Sequence, residues 1–224
     1  MDKSKIEPDV DDDEEEEKVE QKPKKKDPAP PVVAPDTNPV AEPAPLGLLG
    51  LAVGALVLLS VDMGYSEAKP ALEIPWILVM GATAQLIAGI MDFQRKNVFG
   101  ATVFTGFSML WYGLALSYII ILWGGVLVDA THLTFAFLGF LIFGLYCTVA
   151  ALGTNKILFI IMVFIDLAVG TLVAKEWYTF DMKITGVLLM FVVVFSFYGS
   201  FAILINQMAK RTVFPMGAPF IKFS

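Results

Sequence analysis

Residues 157–174 read ILFIIMVFIDLAVGTLVA, an apolar stretch interrupted by a single charged side chain, Asp166. A helix needs about 20 residues to cross roughly 30 Å of hydrocarbon, so the stretch has nearly the required length. A backbone in lipid must satisfy its own hydrogen bonds, and the alternation typical of barrel strands is absent. The stretch therefore predicts a membrane-spanning α-helix.

Five further apolar runs accompany it, at residues 46–61, 74–91, 101–122, 133–152 and 184–205. Short polar turns containing Gly, Pro, Asn or Asp separate the runs, and the first run borrows residues on either side to reach full length. The sequence thus predicts an all-α membrane protein with six transmembrane helices in residues 46–208. A short basic tail follows at 209–224.

Charge is distributed unevenly along the chain. Residues 1–45 hold 14 of the 22 acids, 7 of the 16 bases and nine of the thirteen prolines. The remaining 179 residues carry only 17 charged side chains, against about a quarter in an ordinary soluble domain. That is too few to cover a water-facing surface, which excludes a soluble enzyme. A nucleic-acid binder is excluded because no basic cluster exists outside the tail.

The acidic, proline-rich segment 1–45 offers no apolar face to offset the entropy of ordering, so it is predicted to be disordered. It is interpreted as a solvated tail, with a partner-binding arm as the alternative. Basic residues are more numerous in the loops after the second and fourth helices and in the C-terminal tail than in the other loops. Together with the even number of helices, this predicts that both termini are cytoplasmic in a multi-pass protein of the cell membrane.

Residues for enzymatic or metal chemistry are scarce. Cys147 and His132 are the only cysteine and the only histidine, so no metal site and no cofactor are expected. His132 lies near Asp129 and is interpreted as an interfacial loop residue. The chain is not expected to be an enzyme.

Two features suggest transport. Asp166 lies well inside its run, where an ionised carboxylate costs at least about 2.5–3.5 kcal/mol, so it is expected either to serve proton coupling or to bond a neighbouring helix. Pro45 stands in the first turn of the first helix, whose N–H groups and partial positive charge can hold a carboxylate. Small residues such as Gly47, Gly50, Gly54 and Gly81 are expected at close helix contacts.

Several ordered motifs resemble a known family, the acetate uptake transporters. They are PAPLGL at 43–48, AQLIAG at 84–89, Asn97-x-Phe99-Gly100, Phe104-Thr105 and Arg211-Thr212-Val213-x-Pro215-x-Gly217. The resemblance runs from Glu42 to about Gly217 and covers all six predicted helices.

The resemblance implies a six-helix subunit that assembles as a homohexamer, with a path for acetate and related short monocarboxylates or dicarboxylates such as succinate in each subunit. It implies transport with protons, and channel-like passage of anions is the alternative. The subunits are expected to be surrounded by membrane lipid, and no nucleic-acid partner is expected. Candidate substrate-binding residues are Glu42, Pro43, Ala44, Pro45, Leu46, Gly47, Leu48, Gln85, Asn97 and Thr105.

The family's narrow apolar constriction, usually Phe, Tyr and Leu, falls on Leu51, Phe107 and Ile165. Leu51 and Phe107 therefore replace larger or hydroxyl-bearing residues, and a less polar constriction is expected. Glu42 replaces the usual Asn of the first motif, so it could repel acetate when ionised or, with Asp166, take part in proton coupling. A passive channel for small solutes, and a membrane sensor or scaffold that uses the acidic tail, stay open as alternatives.

Overall fold

A computed structural model describes residues 38–66, 70–125, 127, 129, 131–175, 177–179 and 181–223. The predicted disordered arm therefore lies outside the described residues up to position 37. Among the described residues, six helices are long and apolar enough to cross a membrane, which confirms the all-α prediction. We label them α1 Ala44–Asp62, α2 Glu73–Gln94, α3 Val98–Trp123, α4 Thr131–Ala151, α5 Lys156–Ala174 and α6 Met182–Ala209.

Polar residues in the turns begin three of these helices. Asn97 Oδ1 accepts a hydrogen bond from Gly100 N at 3.3 Å at the start of α3, and Asn155 Oδ1 accepts one from Leu158 N at 3.0 Å at the start of α5. Asp181 Oδ1 accepts from Lys183 N at 2.9 Å before α6. Each cap satisfies a backbone donor that the helix cannot pair, so the turn residues set where the helices begin.

The six helices form a closed ring in chain order. Helix α1 packs against α6 and α2, α3 packs against α2 and more lightly against α4, and α5 lies between α4 and α6. The middle of α2, Ile77–Ala84, is wound as a π-helix. Because each helix contacts its neighbours in the ring, side chains from all six can face a shared interior.

Glycines allow α1 and α2 to lie close together. A methyl group added at Gly54 would lie 3.1 Å from Gly81 Cα, and one at Gly50 would lie 2.5 Å from the carbonyl oxygen of Met80. The Trp111 ring from α3 also covers Gly54 and Gly81. These contacts confirm that the glycines of the first two helices serve close packing.

The C-terminal segment folds back over the end of the bundle. Asn206 of α6 accepts hydrogen bonds from Val213 N at 2.7 Å and Phe214 N at 2.9 Å, and donates to Phe214 O at 2.8 Å. Farther along, Phe220 N and Ile221 N both donate to Leu152 O. The segment predicted as a tail is therefore attached to the turn between α4 and α5.

Replacing Asn206 with Ala should destabilise the protein by about 2–4 kcal/mol, because three hydrogen bonds are lost at a buried site. Thermal unfolding in detergent would measure the loss. The adjacent Gln207→Ala is the control and should change stability by less than about 0.5 kcal/mol. Equal effects of the two substitutions would contradict the proposed attachment.

Candidate transport pathway

An interior cavity of about 180 Å³ is lined by residues from all six helices. Most of its wall is aliphatic or aromatic, with Leu114 and Val169 among the lining residues. Charged groups occur where the helices end, at Asp62, Glu73 and Lys175. We call it the Asp62-side cavity.

A smaller cavity of about 50 Å³ lies toward the opposite ends of α1, α3 and α5. It is lined by α1, α2, α3 and α5, together with Asn97, and it has room for a few water molecules. Gln85 and Asn97 are its polar residues, while Phe104 and Met162 are typical of the rest. We call it the Asn97-side cavity.

Of the residues that the structure describes, three line both cavities: Leu51, Phe107 and Ile165. All three are buried, and they come from α1, α3 and α5 respectively. Phe107 is held by an edge-on contact with Phe143 of α4, with the ring centroids 5.2 Å apart. The structure thus brings the predicted constriction residues together at an apolar junction between two spaces.

Gln85 fixes part of this junction. Its side-chain oxygen, in the orientation that its neighbours require, accepts hydrogen bonds from Trp111 Nε1 at 3.1 Å and from Leu51 N at 3.3 Å. The amide is almost fully buried and also lines the Asn97-side cavity. Gln85 therefore connects the backbone of α1 at Leu51 to α3, in addition to facing the cavity.

Asp92 is a buried acid that sequence reasoning missed, because it stands just beyond the second apolar run. Its Oδ1 accepts a hydrogen bond from Asn97 Nδ2 at 3.0 Å, and its Oδ2 has no partner among the described residues. The carboxylate lies against Gly100, where any added methyl group would overlap it. The sequence signal that could have pointed to Asp92 was the family-like motif that contains Asn97 and Gly100, the two residues that contact its carboxylate.

At the start of α1, the carboxylate of Glu42 contacts other groups of the same chain. Glu42 Oε2 forms an ion pair with Arg95 Nη2 at 2.9 Å, and Glu42 Oε1 accepts from Ala44 N at 3.3 Å. The N–H groups of Leu46 and Gly47 donate to Pro43 O. These first-turn groups are therefore engaged within the chain, and the charge of Glu42 is balanced by a neighbouring guanidinium.

The structure divides the other predicted binding residues into two groups. Ala44 and Leu48 line the Asn97-side cavity together with Gln85 and Asn97. Those that line neither cavity are Glu42, Pro43, Pro45, Leu46, Gly47 and Thr105. Pro45 O accepts a hydrogen bond from Ser200 of α6, and Thr105 packs against Gly89.

Asp166 lies at the contact between α5 and α4 and lines neither cavity. Its Oδ2 accepts a hydrogen bond from Thr148 Oγ1 at 2.5 Å, and its Oδ1 lies against Gly144. Oδ1 has no hydrogen-bond partner among the residues that the structure describes. The geometry matches the alternative in which a buried acid bonds a neighbouring helix.

His132 and Asp129 lie at the start of α4, away from the lining of both cavities. Hydrogen bonds from the hydroxyl and the N–H of Thr131 lower the pKa of Asp129. His132 Nδ1 lies 3.3 Å from the carbonyl oxygen of Asp129. His132 is therefore in the first turn of α4, so the interpretation of it as a loop residue is wrong.

Comparison with known proteins gives this architecture a family. Residues 25–219 match the GPR1/FUN34/yaaH family. The chain belongs to this family.

Proteins similar to this chain differ in the functions that their names describe. The succinate-acetate/proton symporter SatP of Escherichia coli strain K12 is 30% identical over 117 residues, 52% of this chain and 61% of the symporter. The chain thus matches about three fifths of that relative's length. Ammonia transport outward protein 2 of Saccharomyces cerevisiae is 30% identical over 197 residues, 80% of this chain and 67% of that protein.

A solved structure confirms the family fold. The bacterial acetate channel SatP superposes with a TM-score of 0.74 at 22% identity, covering 79% of this chain and 99% of that one.

Replacing Gly144 with Ala should lower stability by about 1–3 kcal/mol, because the new methyl group would overlap the Asp166 carboxylate. Gly139→Ala on the same helix is the matched control, since nothing lies within 4 Å of its added methyl group. It should be neutral or stabilising by up to about 1 kcal/mol. Thermal unfolding in detergent would compare the two, and a harmless Gly144→Ala would refute the close contact.

Proposed function

We propose that this protein carries acetate and related short carboxylates across the cell membrane, along a path inside each subunit. The path runs between the Asp62-side and Asn97-side cavities, past Leu51, Phe107 and Ile165. The observation that supports this path is that, among the described residues, Leu51, Phe107 and Ile165 are the ones that line both cavities. Similarity to an E. coli succinate-acetate symporter and to an acetate permease of Emericella nidulans supports the choice of substrate.

We further propose that the substrate crosses the junction together with a proton. Acetic acid has a carboxyl pKa of about 4 to 5, so it is almost wholly anionic at neutral pH. An apolar constriction opposes a bare anion, because the anion would lose its hydration without gaining a charged partner. Glu42 and Asp166 stay candidates for proton coupling, although neither lines the Asp62-side or the Asn97-side cavity.

The remaining parts of the proposal concern assembly and orientation. Both termini are cytoplasmic, as the positive-inside bias of the loops supports. The subunits assemble as a homohexamer, as the family resemblance implies. Each subunit then has its own pathway, because all six helices of one chain enclose the Asp62-side cavity.

Closing the junction should abolish transport. In proteoliposomes, Leu51→Trp should reduce the initial rate of labelled acetate uptake about tenfold or more, because the indole would fill the apolar constriction. Leu58→Trp is the matched control, since Leu58 lies on the same helix and lines only the Asp62-side cavity. The absence of saturable or competable acetate uptake by the unmodified protein at any pH would refute the proposed function.

The driving force that accelerates acetate uptake distinguishes proton-coupled transport from anion conduction. We expect an inward proton gradient to accelerate acetate uptake above that of protein-free liposomes, and a potassium diffusion potential without a proton gradient to leave it unchanged. Uptake driven by an inside-positive potential would instead indicate an anion channel. An Asp166→Asn variant with an unchanged pH dependence would remove Asp166 from the coupling step.

A further inference from the structure

The mouth of the Asp62-side cavity carries an unbalanced set of charged groups. Asp62 ends α1, Glu73 begins α2, and Lys175 follows the last residue of α5; all three line the cavity. Among the described lining residues, Asp62 and Glu73 are the carboxylic acids and Lys175 is the basic residue. The mouth therefore holds two acids and one base. When all three are ionised, the net charge is negative.

Glu73 is the unusual member of this group. Its side chain is only 7% exposed, although it faces a cavity, and its Oε1 has no hydrogen-bond partner among the described residues. A buried polar atom without a partner is rare in folded proteins, because it loses its hydration without compensation. Glu73 is therefore placed to act on whatever occupies the cavity.

The neighbouring groups interact with Glu73 through their charges. Asp62 lies close enough to both Glu73 and Lys175 for their charges to interact. Lys175 is exposed to solvent, whereas Glu73 is enclosed. Solvent screens the positive charge of Lys175 more strongly than the charge of the enclosed Glu73, so the field inside the mouth is negative while both acids are ionised.

We propose that Glu73, together with Asp62, makes this mouth discriminate against dicarboxylates, so that short monocarboxylates are the preferred substrates. The inference rests on the proposed function and narrows its substrate class. Succinate carries two negative charges at neutral pH, and acetate carries one. The same field therefore repels succinate about twice as strongly as acetate.

Glu73→Gln tests the inference with little change of shape. Initial uptake rates of labelled acetate and labelled succinate would be measured at pH 7 in proteoliposomes containing the purified full chain. Removing one negative charge should raise the succinate-to-acetate rate ratio by about 3- to 10-fold. Asp129→Asn is the matched control, because it removes an exposed acid that lines neither cavity, and it should leave the ratio unchanged.

Lys175→Gln provides a second variant at an exposed position that tolerates substitution. It removes the positive charge of the mouth and should lower the succinate-to-acetate ratio, the opposite direction from Glu73→Gln. Lys183→Gln, at an exposed lysine outside the cavity lining, is its control. If Glu73→Gln does not assemble, the direction in which Lys175→Gln changes the succinate-to-acetate rate ratio tests the inference.

The outcomes separate this inference from the function on which it rests. Saturable acetate uptake with an unchanged ratio in Lys175→Gln, and in Glu73→Gln where it assembles, would overturn charge selection and leave the proposed function standing. No acetate uptake by the unmodified protein would remove both. Opposite shifts in the two variants, with unchanged controls, would support the inference.

Discussion

Helix α1 can approach its neighbours closely because Gly47, Gly50 and Gly54 carry no side chains at the contacts. Gly47 lies against the ring of Phe104, and Gly54 lies against Gly81 and Trp111. In lipid no hydrophobic force drives helices together, so such close packing is a main source of association. The rest of the interior depends on it, since a wider separation would move Leu51 away from the residues facing it across the ring.

Buried polar side chains determine how the helices are oriented around this contact. Gln85 bonds the backbone of α1 and the indole of α3, and Asp166 bonds Thr148 between α5 and α4. Asn206 holds the C-terminal segment over the end of the bundle. Leaving any of these groups without its partner in an apolar environment would cost free energy. Each hydrogen bond therefore favours a single rotation of its helix about the helix axis.

The interior that results is apolar in the middle and polar toward its ends. Leu51, Phe107 and Ile165 separate the two cavities, while Glu73 and Asn97 lie at opposite sides of that junction. An apolar junction favours a substrate that can lose its charge by taking up a proton. The proposed negative charge of Glu73 and Asp62 would add a preference for the smaller anionic charge.

The sequence by itself determined the helices and their membrane character. Runs such as 157–174 have too few polar groups for a water-facing surface, and only a helix satisfies their backbone in lipid. Family motifs also indicated Leu51, Phe107 and Ile165 as the residues of a constriction. Those inferences depend on composition, spacing and resemblance, which are properties of the linear chain.

Only the tertiary structure decided which polar residues face the cavities. Asp166 stood out in the sequence but faces α4, whereas Glu73 and Asp92, at or beyond the ends of an apolar run, are both buried. Glu42 was expected near the substrate, and the structure shows that it is paired with Arg95, a residue 53 positions away. A side chain's surroundings depend on helix rotation and on partners distant in the chain, and local sequence does not specify either.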